Sequence, residues 1–152
     1  MTAVLSLGSN LGDRLSMLQL AVDLLQPTRV SSVWETAPVG GVEQDDFLNI
    51  VVLADLSAAQ AWQSAVAAEG SAGRTRGVRW GPRTLDVDVI WAEGTDPGLE
   101  LPHPRASERA FVLLPWLEVD PAAVLVGHGP VALLAAAVDS TGVHRRPELV
   151  LR

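Results

Sequence analysis

The segment RWGPRTLDVDVI, residues 79–90, constrains this chain most. Leu85, Val87 and Val89 alternate with Asp86 and Asp88. Residues two apart on a strand point to one face, roughly 7 Å apart, so the pattern predicts a strand with one apolar side and one carboxylate side. Such a strand fits a sheet covered on the apolar face. Two neighbouring carboxylates repel and are costly to bury unless a cation sits between them. A hard divalent ion with oxygen ligands is the natural partner. Just upstream lie Arg74, Arg76, Arg79 and Arg83, with no acid between Gly70 and Leu85. Guanidinium forks beside paired carboxylates suit a magnesium–polyphosphate complex. The Gly81-Pro82 step adds a stiff turn that would aim Arg83 toward the aspartates. Either feature alone is often just a solvated edge or loop; it is their adjacency that favours chemistry.

Composition narrows the alternatives. With 152 residues and 48% hydrophobic content, the chain reads as one domain with a full core. No apolar run reaches 18 residues, and the N-terminus lacks a basic leader, so neither a membrane span nor a signal peptide is expected. Cysteine is absent, which removes disulfides and thiolate chemistry and fits a cytoplasmic protein. The net charge of −7 argues against nucleic-acid binding and makes the arginine cluster stand out. All 11 basic residues are arginine, so a lysine-dependent phosphate loop is excluded.

The patterning predicts strands over 3–7, 29–35, 47–56 and 84–91. Helices are expected over 11–25, capped by Asn10, and over 57–69, capped by Ser57, with alanines, Trp62 and Val66 buried. A loop is expected over 37–46 and a Gly- and Arg-rich loop over 70–82. The C-terminal part should hold helices over 111–119 and 131–138 and a terminal strand over 143–151. Gly8-Ser9-Asn10 reads as a strand-to-helix turn, and His128, His144 and the Arg145-Arg146 pair as surface. Asn49 interrupts an apolar strand, and a buried amide needs partners. The order strand–helix–strand–strand–helix–strand predicts an α+β fold, a ferredoxin-like βαββαβ sandwich with a mainly antiparallel sheet and C-terminal additions.

Four segments carry a resemblance: LGSNLGDR (7–14), ETAPVGGVEQDDFLN (35–49), GRTRGVRWGPRTLDVDVI (73–90) and LPHPRASERAFVLLPW (101–116). In this order they resemble the motifs of the 6-hydroxymethyl-7,8-dihydropterin pyrophosphokinase family of folate biosynthesis. The resemblance implies transfer of pyrophosphate from ATP to the pterin alcohol, with AMP released. It implies that Asp86 and Asp88 bind two magnesium ions and that Arg74 and Arg83 hold the phosphates and assist transfer. It places Arg76, Trp80, Arg83, Val89, His103 and Arg109 on the ATP side, with Arg76 and Trp80 on a loop that closes over ATP. It sets Phe47 and Phe111 about the pterin ring, with Thr36, Pro38, Val39, Gly40 and Asn49 along its edge. A monomer acting on small molecules, without nucleic acid or membrane, is expected. The chain departs from the family pattern at Trp34, where tyrosine is usual, at Ala37, and in a short turn over 93–98. A metal-dependent polyphosphate-binding module and an Asp-x-Asp metal nuclease or sugar-nucleotide transferase are the competing classes.

Overall fold

The computed structural model describes residues 1–37, 45–73 and 85–152. Pro38, Val39, Gly40, Arg74, Arg76, Trp80 and Arg83, and the expected closing loop, lie outside the described residues. The elements are β1 (Ala3–Ser9), α1 (Arg14–Leu25), β2 (Arg29–Val30), β3 (Trp34–Thr36), β4 (Phe47–Ala54), α2 (Ala58–Ser71) and β5 (Asp86–Ala92). A 3-10 turn (Ala106–Glu108), α3 (Ala110–Val119), β6 (Val124–Leu125), β7 (Gly129–Pro130), α4 (Val131–Ala137) and β8 (Val143–Arg145) complete them. The main sheet runs β5-β1-β4-β3-β8, with β2 also on β4, and its pairings are antiparallel. No helix among the described residues is long and apolar enough to cross a membrane.

The strand period sorts side chains onto two faces. Leu5, Leu7, Ile50, Val52, Val87 and Val89 join Leu18 and Leu25 of α1 and the alanines of α2 in one core. Val4, Val51 and Ile90 pack with Val112, Leu113 and Trp116 of α3 and Val131 of α4 in the other. Both faces are therefore covered, and the carboxylate side of β5 belongs to the α3 face.

Local corrections follow from hydrogen bonding. Gly8 and Ser9 belong to β1 rather than to a turn. Asp13, not Asn10, caps α1, its carboxylate accepting from the Ser16 amide. Asn10 instead donates to the Asp45 carbonyl at 3.1 Å. Ser57 caps α2 as expected, with Gln60 completing a capping box. Ser57→Ala should cost about 1 kcal/mol, read as a melting-temperature loss of roughly 2–4 °C without loss of catalytic turnover.

The buried stripe of α2 is Ala58, Ala61, Ala65 and Ala68, whereas Trp62 and Val66 are 38% and 49% exposed. Small residues let the helix lie close on the sheet, and Trp62 packs instead against Gly98, where a Cβ would sit 2.8 Å from its indole nitrogen. The expected strand over 29–35 is two short pieces, β2 and β3, and the terminal strand is only β8. Arg146 is not simply solvated: it pairs with Glu35 at 2.8 Å and Glu148 at 2.7 Å.

Candidate active site

Strand register sets the site. Gly8 lies directly opposite Asn49 of β4 and, on its other side, Asp86 of β5. Two pairs further along, Ser6 lies opposite Asp88. Asp86, Asp88, Asn49 and Phe47 thus share the α3 face, beyond the part that α3 itself covers. Val87 between the aspartates is buried on the opposite face, and its amide donates to the Glu69 carboxylate at 2.9 Å. The end of α2 therefore ties down the strand that carries the acids. Val89 is buried among the first core, so only its backbone is available to a nucleotide.

Arg109 and His103 converge on the aspartates. Arg109, at the start of α3, places a guanidinium nitrogen 3.6 Å from an Asp88 oxygen, with both side chains partly buried. The same guanidinium lies over the Phe111 ring, 5.5 Å from its centroid. His103 is anchored by its amide donating to the Ile90 carbonyl at 2.8 Å. Its Nδ1 accepts from the Arg105 amide at 3.2 Å, which assigns the proton to Nε2. Burial and the nearby charge of Arg109 hold the imidazole below its ordinary pKa, with Asp86 opposing them. His103 is then neutral at pH 7 and presents an N–H donor beside the acids.

The other half of the site is amide and aromatic. Asn49 is 3% exposed, and its amide nitrogen donates to the Thr36 hydroxyl at 2.7 Å. Its amide oxygen lies so close to β1 that a Cβ at Gly8 would sit 2.7 Å from it, and 3.4 Å from the Phe47 ring. Glycine here serves close approach, a role missed when GSN is read only as a turn. A cleft of about 240 Å³ opens beside this cluster, with Thr36, Arg109 and Phe111 in its wall. Arg105, Glu108, Asp139 and Thr141 also line it. None of these four stands out in the sequence, because Asp139 and Thr141 reach the cleft only through the pairing of β8 with β3. The structure thus gathers Asp86, Asp88, His103, Arg109, Phe111, Thr36, Asn49 and Phe47 on one face.

Such a face suits a transferase that aligns an anionic, metal-bound donor with a planar acceptor. A family model described as 7,8-dihydro-6-hydroxymethylpterin-pyrophosphokinase (HPPK) matches residues 4–121. A Mycobacterium leprae protein named 2-amino-4-hydroxy-6-hydroxymethyldihydropteridine pyrophosphokinase is 51% identical over 144 residues, 83% of this chain and 75% of its own length. Proteins of the same name from Mycobacterium tuberculosis (strain ATCC 25618 / H37Rv) and Bacillus subtilis are 45% and 42% identical, covering 90% and 77% of this chain and 83% and 77% of their own. The chain belongs to the HPPK family. Among solved structures, an HPPK-DHPS in complex with substrates superposes with a TM-score of 0.69 at 11% identity, over 90% of this chain and 43% of that one. A Plasmodium falciparum HPPK-DHPS gives 0.64 at 14% identity, over 89% of this chain and 42% of that one. This chain spans less than half the length of those two, and the likeness to them is one of fold.

Proposed function

We propose that this chain transfers a pyrophosphoryl group from ATP to the hydroxymethyl oxygen of 6-hydroxymethyl-7,8-dihydropterin, giving AMP and the pterin diphosphate, in folate biosynthesis. The observation that carries this reading is the row Asn49–Gly8–Asp86 across three adjacent strands. It sets a heterocycle-edge binder beside a carboxylate pair. The strand order β5-β1-β4-β3, with α1 and α2 on one face, supports describing the core as a ferredoxin-like βαββαβ sandwich. A single domain acting as a monomer on small molecules is part of this reading. The lack of cysteine fits a cytoplasmic location.

The donor set fits magnesium: two partly exposed carboxylates, Asp86 and Asp88, on one strand face, offering hard oxygen ligands. They would hold two Mg²⁺ ions with ATP, which supply charge neutralisation of the phosphates and a clamp on attacking and leaving oxygens. The chain's own groups do the rest. His103 donates Nε2–H and Arg109 its guanidinium toward the phosphate side. Arg74 and Arg83 are assigned to the transferring phosphates, whose developing charge they stabilise. Arg76, Trp80 and the backbone of Val89 are assigned to ATP. Phe47 and Phe111 flank the pterin, while Thr36, Pro38, Val39, Gly40 and Asn49 read its edge. No side-chain nucleophile is required, because the pterin oxygen attacks the β-phosphorus, and catalysis rests on alignment and electrostatics.

Incubation with magnesium, ATP and the pterin alcohol should yield AMP and the pterin diphosphate. Chromatography of the nucleotides decides it: ADP in place of AMP, or no turnover, overturns the proposal. A polyphosphate-binding module would bind ATP and give neither product.

A further inference from the structure

Arg14, at the first position of α1, reaches both ends of the connection between β3 and β4. Its Nη1 donates to Glu35 Oε2 at 2.9 Å and to the Asp46 carbonyl at 2.9 Å. Glu35 immediately precedes Thr36, and Asp46 immediately precedes Phe47. Thr36 and Phe47 face each other across the β3–β4 pair. Asn10 adds a bond to the Asp45 carbonyl at 3.1 Å. On the far side of Glu35, Arg146 donates to Oε1 at 2.8 Å, and the Arg146 amide donates to the Val33 carbonyl at 2.8 Å. The C-terminal segment is thereby fastened to the same carboxylate. All three charged side chains are partly buried, at 30%, 22% and 33% exposure for Arg14, Glu35 and Arg146. Burial pushes the Glu35 carboxyl up, but the hydrogen bonds and charges of Arg14 and Arg146 outweigh it and hold the group below its ordinary value.

We propose that Arg14 is a positioning residue for the pterin substrate, clamping the neck of the β3–β4 connection so that Thr36, Asn49 and Phe47 keep a fixed mutual geometry. The proposal rests on the pyrophosphokinase reading for its substrate, though not for the clamp itself. Arg14 lies on the α1 side of the sheet, away from the aspartates, so it touches neither reacting atom. An isolated surface ion pair is worth little to stability. This one joins the two ends of the β3–β4 connection, next to three side chains assigned to the pterin. Its effect should therefore fall on one substrate rather than on the whole fold.

Arg14→Gln, Arg14→Lys and Glu35→Gln test it. In Arg14→Gln the Kd and KM for the pterin should rise about tenfold, with saturated kcat and the Kd of an ATP analogue changing less than about twofold. Arg14→Lys, which keeps the charge, should recover part of the loss, and Glu35→Gln should move pterin KM the same way by a smaller factor. Without ligand, amide exchange at residues 36–37 and 45–47 should quicken in Arg14→Gln while that of α2 stays as in wild type. Unchanged exchange at the neck, unchanged pterin affinity, or equal weakening of both ligands overturns the clamp. If Arg14→Gln does not fold, an unchanged pterin KM in Glu35→Gln overturns it alone. If the wild-type chain binds no pterin, the substrate reading fails, and the exchange comparison still decides the clamp.

Discussion

Asp86→Ala and Asp88→Ala should each lower kcat on the order of a thousandfold, the scale on which losing a preorganised charge partner acts in catalysis, while the fold survives. The two carboxylates are partly exposed, whereas Val87 and Val89 between and beyond them anchor the strand in the core. Either change removes one of two facing charges and relieves repulsion in the metal-free protein. Asp88→Ala gives up the contact with Arg109 at 3.6 Å, which offsets that relief. Turnover assays beside thermal melts at matched magnesium make the comparison. Near-normal turnover would contradict the metal role, and an unfolded variant would assign the aspartates to strand structure instead.

Asn49→Ala should weaken pterin binding at least as strongly as any other single change outside the metal ligands. The amide is 3% exposed and bonded to Thr36, so its removal strands a buried hydroxyl, at a cost of about 1–3 kcal/mol in stability. ATP binding should change little, because its proposed holders lie from Arg74 onward in the chain and none is on β4. Phe111→Ala is the companion test. Phe111 is only partly buried against the second core. Its removal should cost less stability than the roughly 3–5 kcal/mol of a fully buried phenylalanine and should lose about 0.5–1.5 kcal/mol of ring stacking. Titrations with the pterin and with an ATP analogue, run beside melts, separate the outcomes. Equal losses for both ligands with a large drop in melting temperature would leave Phe47 and Phe111 as core residues.

Much of the fold was legible because period and capping chemistry are local. The strand that became β5, the Ser57 cap and the two N-terminal helices all rest on residues within a few positions of one another. What failed was the inference from size to burial. Trp62 and Val66 are the bulky residues of α2, yet the alanine stripe faces the sheet, since close helix–sheet approach favours small side chains there. Gly8 was hidden by distance along the chain, because the atom that requires a glycine belongs to Asn49, 41 positions away. Asp139 and Thr141 were equally hidden, because β8 brings them to the site edge by a pairing no local pattern encodes. In the candidate site, Asp86, Asp88 and Asn49 could be picked out from oddity, as acids and an amide in apolar strands, whereas Phe111 reads as core without the family resemblance.

The pairing of Gly8 with both Asn49 and Asp86 also works as a ruler. Neighbouring strands lie about 4.8 Å apart, so the anchors proposed for acceptor and donor, Asn49 and Asp86, are held two such spacings, roughly 10 Å, from each other by backbone ladders alone. The irregularity between β1 and β5 falls at Val4/Leu5, and the ladder between Leu5 and Gly8 runs unbroken past the site. Side chains around these two positions can therefore be exchanged in evolution or by design without altering the span between them. A one-residue slip of β1 against either neighbour would change that span and turn one anchor to the opposite face. The middle strand, which bears no reactive group, is where the reach of the transfer is set.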